Sequence, residues 1–372
     1  MKARQGDGPA DLGGIYITDD HIDVVIGGDS RGIVTLAEAP LEIEFDDTAR
    51  FPFGSEDIKQ TFERAVSWIC GRANPRAIGV ASYGPIDNVD PKRMDEHSFG
   101  NISQLSHGLR LQGANIRDLV RDALPARNRG AVIVVDTDVN AAAMGEYSFR
   151  ANRNDARTAW NRYVVAFVKI SHGIGAGVIQ HIEPWHGGHH VELGQVPVQL
   201  WYDQELDPDN DELKFAQSAD RRYGRLRLES LASVGALHTR LEWSGSTYQE
   251  AADDPDHWVW TREAFYAAQC LLTVATTLAP SQIIVSGRIM RDTPGLFEKT
   301  EKVFNEMLGS PAFPANDGRL DDFIVRAEPM SLEVGGEAKD IWSGCIGALC
   351  LAEKYRRQKS DGRVSRVVLA KR

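Results

Sequence analysis

The sequence predicts an α/β protein of two domains around a cleft. Three observations carry this. The chain has 372 residues, more than one ordinary hydrophobic core serves. Each half reads as several strands followed by helix, with a glycine-containing turn behind a strand. No G-x-G-x-x-G follows the first strand, which excludes the dinucleotide-binding pattern. Residues 1–137 plus a helix near 340–356 are expected to form the smaller domain, residues 138–339 the larger one, and 357–372 a basic tail.

Composition narrows the function. The 26% charged and 42% hydrophobic fractions are those of a water-soluble globular chain. A net charge of −11 argues against nucleic acid or an anionic membrane as partner. Cys70, Cys270, Cys345 and Cys350 fall in apolar helical patterns without a close-set Cys/His cluster. They read as reduced core residues, neither disulfides nor metal ligands. No signal peptide precedes the first strand and no apolar run is long enough to span a bilayer, so a cytoplasmic location is expected.

In chain order, Gly13–Ile17 and Ile22–Ile26 read as strands joined by the turn Thr18-Asp19-Asp20-His21. Residues 33–36 and 41–45 read as further strands. Ser55 is placed to cap a helix whose apolar face is Ile58, Phe62, Val66 and Ile69. Ala77–Ala81 is a short apolar strand, and 116–124 a helix. Val132–Val135 is apolar and mostly β-branched, the signature of a buried strand. Asp136, Asp138 and Asn140 follow at once, and Ala141 to Met144 start a helix. A carboxylate there stands where open α/β sheets bind ligands. The plainer reading is that Asp138 caps the helix. Further on, 163–168 is a strand, 203–212 an acidic loop, 228–241 and 258–278 helices, and Gln282–Ser286 a strand. Helices over 294–308 and 340–355 and a strand over 323–326 complete the chain.

Several segments match one family in order: Gly84-Pro85-Ile86-Asp87, Asp136-Thr137-Asp138-Val139-Asn140-Ala141-Ala142, Gly173-Ile174-Gly175-Ala176-Gly177, His190-Val191-Glu192-Leu193-Gly194 and Glu229-Ser230-Leu231-Ala232-Ser233. Over roughly residues 12–355 the chain resembles the ROK sugar kinases, and within them the bacterial fructokinase branch. The resemblance implies a two-domain actin-like ATPase (ribonuclease H-like) fold with a cleft between domains. It implies an ATP-dependent hexose kinase using Mg-ATP, with Asp138 as the base toward the sugar 6-hydroxyl. Asn140, His190, Glu192 and Glu229 would lie near the sugar. His172, Gly173, Gly175, Gly287 and Arg288 would face the nucleotide. A small-molecule sugar is the implied partner, and the family often forms homodimers.

The departures are specific. The family's first phosphate loop carries glycines, a threonine and a lysine; here Thr18-Asp19-Asp20-His21 stands there. Two aspartates oppose phosphate. The second loop, normally Gly-Thr-Gly, is Ser171-His172-Gly173, and the adenine-side glycines are Ser286-Gly287-Arg288. The family's zinc positions correspond to Gln195, Arg221, Gly224 and Arg227, which supply no thiolate, imidazole or carboxylate, so no zinc is expected. Arg221 and Arg227 could instead pair with the acidic loop.

Plainer readings accompany each residue. Glu192 and Glu229 could be structural hydrogen-bond partners, His189 and His190 solvated histidines, and Asp19 and Asp20 a solvated turn. Three functions follow: a sugar kinase with a degenerate nucleotide site, a non-catalytic sugar-binding pseudokinase, or a glycoside hydrolase using Asp138 with Asp19 or Asp20.

Overall fold

The computed structural model describes residues 10–29, 43–54, 57–87, 98–104, 109–153, 164–180, 183–187, 191–203, 211–219, 226–308, 323–327, 330–334 and 337–360. The expected strand at 33–36, the Ser55 cap, His189, His190, Arg221, Gly224 and the tail beyond 360 lie outside these residues. The chain divides into two compact units. Unit 1 comprises Met1–Tyr163, Gly177–His190 and Glu328–Arg372; unit 2 comprises Val164–Ala176 and Val191–Ala327. The described residues 138–153 therefore group with the strand that precedes them, where the sequence-based division cut between the two.

Unit 1 starts with β1 (Leu12–Ile17), β2 (His21–Asp29), β3 (Ile43–Pro52), α1 (Ile58–Arg72) and β4 (Ala77–Ser82). The short pair β5 (Ile86–Asp87) and β6 (Asn101–Ile102), then α2 (Ile116–Ala123), β7 (Val132–Thr137) and α3 (Asp138–Arg153) follow. The sheet order is β3-β2-β1-β4-β7. The first three strands run antiparallel, while β4 is parallel to both β1 and β7. Every residue of β4 and β7 is buried, which is why Ala77–Ala81 and Val132–Val135 read as short runs without a polar side chain. Ile15, Val24, Ile78, Val80, Ile133 and Val135 share a core with Phe62, Val66 and Ile69 of α1 and Ile116 and Val120 of α2. Asp57 caps α1 by accepting from the Lys59 N–H at 3.2 Å. Asn115 does the same for α2, through Asp118 N–H at 2.9 Å.

Unit 2 opens with β8 (Val164–Ile170) and the first residues of β9 (Ile174–Gln180). The far end of β9 belongs to unit 1, where Ile179 and Gln180 pair with β10 (Glu183–Pro184). The helices are α4 (Asp211–Ala219), α5 (Leu228–Ala232), α6 (Val234–Ser244), α7 (Tyr248–Asp253) and α8 (Trp258–Leu278). Then come β11 (Gln282–Ser286), α9 (Arg288–Asp292), α10 (Leu296–Leu308) and β12 (Ile324–Arg326). Strands β8, β11 and β12 are parallel neighbours, backed by Trp260, Tyr266, Leu271 and Phe304. The helix expected over 228–241 is two helices. Ser233 is extended (φ −82°, ψ 163°), and its hydroxyl accepts from the Ala236 N–H at 3.2 Å, capping α6. Helix α8 ends at Ala279, which is left-handed (φ 43°), just before Pro280. Glu212, from the acidic stretch, enters a buried ionic knot. It accepts from Arg240 Nη2 at 3.0 Å and from the Tyr266 hydroxyl at 2.8 Å, while Arg240 Nη1 donates to Glu263 at 2.6 Å.

Unit 1 closes with the hairpin β13 (Met330–Val334) and β14 (Glu337–Ile341) and helix α11 (Ser343–Ser360). The last helix thus starts three residues later than expected, because 337–341 is spent in the hairpin. Helix α11 lies directly on the sheet backbone. A Cβ on Gly79 would stand 1.9 Å from the Ala348 carbonyl oxygen, and one on Gly347 1.6 Å from that of Ala141 in α3. All four cysteines are buried and unbridged. No described helix is long and apolar enough to cross a membrane.

Candidate active site

The β7–α3 corner holds the expected base, Asp138, in unit 1. Strand β7 ends in Asp136 and Thr137, and Asp138 is the first residue of α3. The Thr137 hydroxyl accepts from the Asn140 N–H at 3.1 Å, so threonine, not Asp138, supplies this cap bond. Asp138 is 9% exposed, and its Oδ1 accepts from the Val139 N–H at 3.0 Å. A carboxylate suits this helix N-terminus. Asp136 is fully buried. Its Oδ1 accepts from Thr137 N–H at 2.7 Å and from Asn140 Nδ2 at 2.8 Å. Its Oδ2 lies 2.9 Å from His186 Nε2. Sequence reasoning missed His186, whose partner is 50 residues away and whose neighbours Trp185 and Gly187 carry no motif.

The Thr18–His21 turn stands at the same end of the sheet. Register aligns Tyr16 with Ala81 and Ala81 with Asp136, so β1 and β7 finish level, two strand spacings or about 10 Å apart. The turn is tightly bonded. Thr18 Oγ1 donates to Asp20 Oδ1 at 2.8 Å, and the His21 N–H donates to Thr18 Oγ1 at 3.1 Å. The His21 ring bridges two carboxylates, Nδ1 to Asp20 at 2.7 Å and Nε2 to Asp23 at 3.1 Å. Arg50 clamps Asp23 with two bonds of 2.7 and 3.0 Å. Burial alone would lower the His21 pKa; the bond and charge of Asp23, with Asp20, raise it above its ordinary value. Slight burial works against ionisation of Asp20, but Thr18 and His21 hold its pKa below the ordinary one. Asp19 and Asp20 are both exposed.

In unit 2 the expected nucleotide residues gather at the C-terminal ends of β8 and β11. Ser286 aligns with Lys169, and Gly287 (φ 115°) packs so tightly on Ile170 that a Cβ would stand 1.8 Å from its carbonyl oxygen. The Ser171-His172-Gly173 turn follows Ile170 directly, and Arg288 opens α9. His172 and Arg288 are exposed, and Gly175 lies in β9. Glu229, in the first turn of α5, accepts from the Ile174 N–H at 2.9 Å, which fastens the end of that turn. Gln195 Nε2 reaches Glu229 Oε1 at 3.4 Å, and Arg227 donates to Gln195 Oε1. Two positions aligned with the family's zinc ligands are therefore bonded to each other. Glu192 is exposed and precedes the 3-10 turn Leu193–Gln195. Among the described residues no group of three or more His, Cys, Asp or Glu side chains is placed to hold a metal ion.

The profile of the ROK family matches residues 24–318. The chain belongs to the ROK family. This ROK chain is 26% identical to a fructokinase of Lactococcus lactis subsp. cremoris over 290 residues, 78% of this chain and 87% of that protein. It is 27% identical to a putative fructokinase of Bacillus subtilis (strain 168) over 313 residues, 83% of this chain and 88% of that one. Among solved structures it resembles the ROK hexokinase of Thermus thermophilus, with a TM-score of 0.61 at 17% identity over 93% of this chain and 99% of that one. A ROK glucokinase of Streptomyces griseus, in complex with glucose and AMPPNP, gives 0.59 at 20% identity over 92% and 99%. The fold of this ROK protein is the two-domain actin-like ATPase fold.

Proposed function

We propose that this chain is an ATP-dependent hexose kinase of the fructokinase kind, acting on the sugar 6-hydroxyl. The supporting observation is Asp138, a nearly buried carboxylate on a helix N-terminus at the C-terminal end of a parallel strand. It stands in a family whose named relatives include fructokinases. The Asp138 carboxylate takes the 6-hydroxyl proton as the sugar oxygen bonds to the γ-phosphorus. The bond from that phosphorus to the β–γ bridging oxygen breaks, leaving ADP. Asn140, His190, Glu192 and Glu229 hold the other hydroxyls. A site whose buried polar groups need those hydroxyls rejects sugars that lack them.

ATP enters as its magnesium complex, a substrate. Phosphoryl transfer depends on positioning and charge stabilisation more than on covalent chemistry. His172, Gly173, Gly175, Gly287 and Arg288 form the nucleotide side, with His172 and Arg288 as exposed donors. Asp19 and Asp20 weaken ATP affinity where the family has glycines. The reading is zinc-free, on the strength of the Gln195–Arg227 bond. In a hydrolase, Asp19 or Asp20 would have to work beside Asp138. The lowered pKa of Asp20 makes it a poor proton donor and would leave it only the nucleophile's part there.

The test measures sugar phosphate formed from fructose and MgATP beside reducing sugar released from sucrose. Asp138→Asn is expected to lose about 10²–10⁴-fold in kcat while keeping the sugar-induced rise in Tm. Asp19→Asn and Asp20→Asn are expected to keep turnover and to lower the KM for ATP. A fully active Asp138→Asn variant defeats the reading. So does a parent protein that releases reducing sugar and forms no sugar phosphate.

A further inference from the structure

The fully buried Asp136 is not the base, yet the surrounding fold is built to satisfy it. Gly177 lies against the start of α3, where a Cβ would stand 2.2 Å from the Val139 carbonyl oxygen. That approach lets β9 run past the β7–α3 corner. The β9–β10 hairpin then turns back, with the Trp185 N–H donating to Val178 at 2.8 Å, and Glu183 pairs with Lys354 of α11. Trp185 is followed by His186, whose side chain is 10% exposed and whose Nε2 stands 2.9 Å from Asp136 Oδ2. The other oxygen of Asp136 takes the Asn140 amide nitrogen and the Thr137 N–H. A buried carboxylate needs donors at both oxygens. His186 Nε2–H meets that need at Oδ2. With its Nδ2 committed to Asp136, Asn140 keeps its Oδ1 as an acceptor.

We infer that His186 is a positioning residue for the transferase reaction: through Asp136 it fixes the Asn140 amide and the corner that presents Asp138. The catalytic consequence rests on the kinase reading, whereas the pairing itself does not. Removing the imidazole leaves Oδ2 without this donor and frees the corner to shift. Displacements of about 1 Å cost on the order of 10²-fold in rate.

The kinetic test compares His186→Ala with His186→Gln. His186→Ala is expected to lower kcat about 10- to 100-fold with the KM for ATP unchanged. His186→Gln, whose amide can donate to Asp136, is expected to recover most of the loss. Equal losses in the two variants, or a full-rate His186→Ala, overturn the assignment. A second readout needs no activity and no variant at His186. With ¹⁵N-histidine labelling, the His186 Nε2–H is expected as a slowly exchanging, downfield proton that moves in Asp136→Asn. Its absence from the parent spectrum overturns the pairing even if the kinase assay succeeds. Its presence in a protein without kinase activity leaves the pairing standing and removes only the catalytic reading.

Discussion

At the residue scale, Gln195 and Arg227, which the family resemblance sets at zinc-ligand positions, are joined by a side-chain bond. The bond between them, together with the reach of Gln195 to Glu229, ties the 3-10 turn to the start of α5. A metal would fix the same two segments by coordination. Chelation is therefore expected to leave Tm unchanged, and elemental analysis after dialysis to find no zinc. Gln195→Ala should cost about 1 kcal/mol, the worth of an ordinary hydrogen bond, as read from the denaturation midpoint. A Tm that collapses with chelator would show a metal held by other residues. The residue types at these positions were legible in the sequence. The bond between them was not, because a Gln and an Arg 32 positions apart carry no spacing signal. The His186–Asp136 contact escaped for the same reason, while the strand–helix corner that holds Asp138 and Asn140 could be read because an apolar strand and a run of helix formers flank it.

At the element scale, the β1–β2 hairpin was legible as two strands and a polar tetrapeptide, and its charge network was not. Strands place Asp23 and Arg50 opposite each other only once β2 and β3 are in register. Helix α8 was read from end to end because Pro280 stops it and its apolar pattern is long. The 228–241 helix was misread because Ser233 is ambiguous in sequence: a serine inside a helical pattern can also cap the next helix. The hairpin makes a pH prediction. The His21 pKa is raised in the folded state, so its stabilising contribution is complete below about pH 6.5. It is lost as pH rises through the raised value. Asp20 and Asp23 have lowered pKa values, so their contribution holds above about pH 4 and is lost as pH falls further. Tm should therefore fall as pH rises above about 6.5, and His21→Gln should flatten that slope. An unchanged slope in the variant would remove His21 as its source.

At the scale of the whole molecule, the family assignment fixes the architecture, and two different devices hold the two units. Unit 1 depends on glycine, since β4 touches α11 at Gly79 and α11 touches α3 at Gly347. Unit 2 depends on a large aromatic core around the buried Arg240, Glu212 and Glu263. Neither device shows in sequence, because a glycine in a strand and an arginine in a helix both have commoner explanations. Gly79→Ala would drive a methyl to within 1.9 Å of the Ala348 carbonyl oxygen, and backbone on both sides cannot yield cheaply. A cost on the order of 3 kcal/mol is expected. Arg240→Leu would take the guanidinium from buried Glu263 and leave Glu212 to Arg262, 3.1 Å away, at a cost of about 3–5 kcal/mol. The two changes should differ in where they act, because local opening follows the damaged core. Hydrogen exchange of Gly79→Ala should show lost protection in β4 and β7, with β8 and β11 close to the parent. Arg240→Leu should show the reverse. Equal losses across both sets of strands in each variant would mean that the units unfold as one cooperative body.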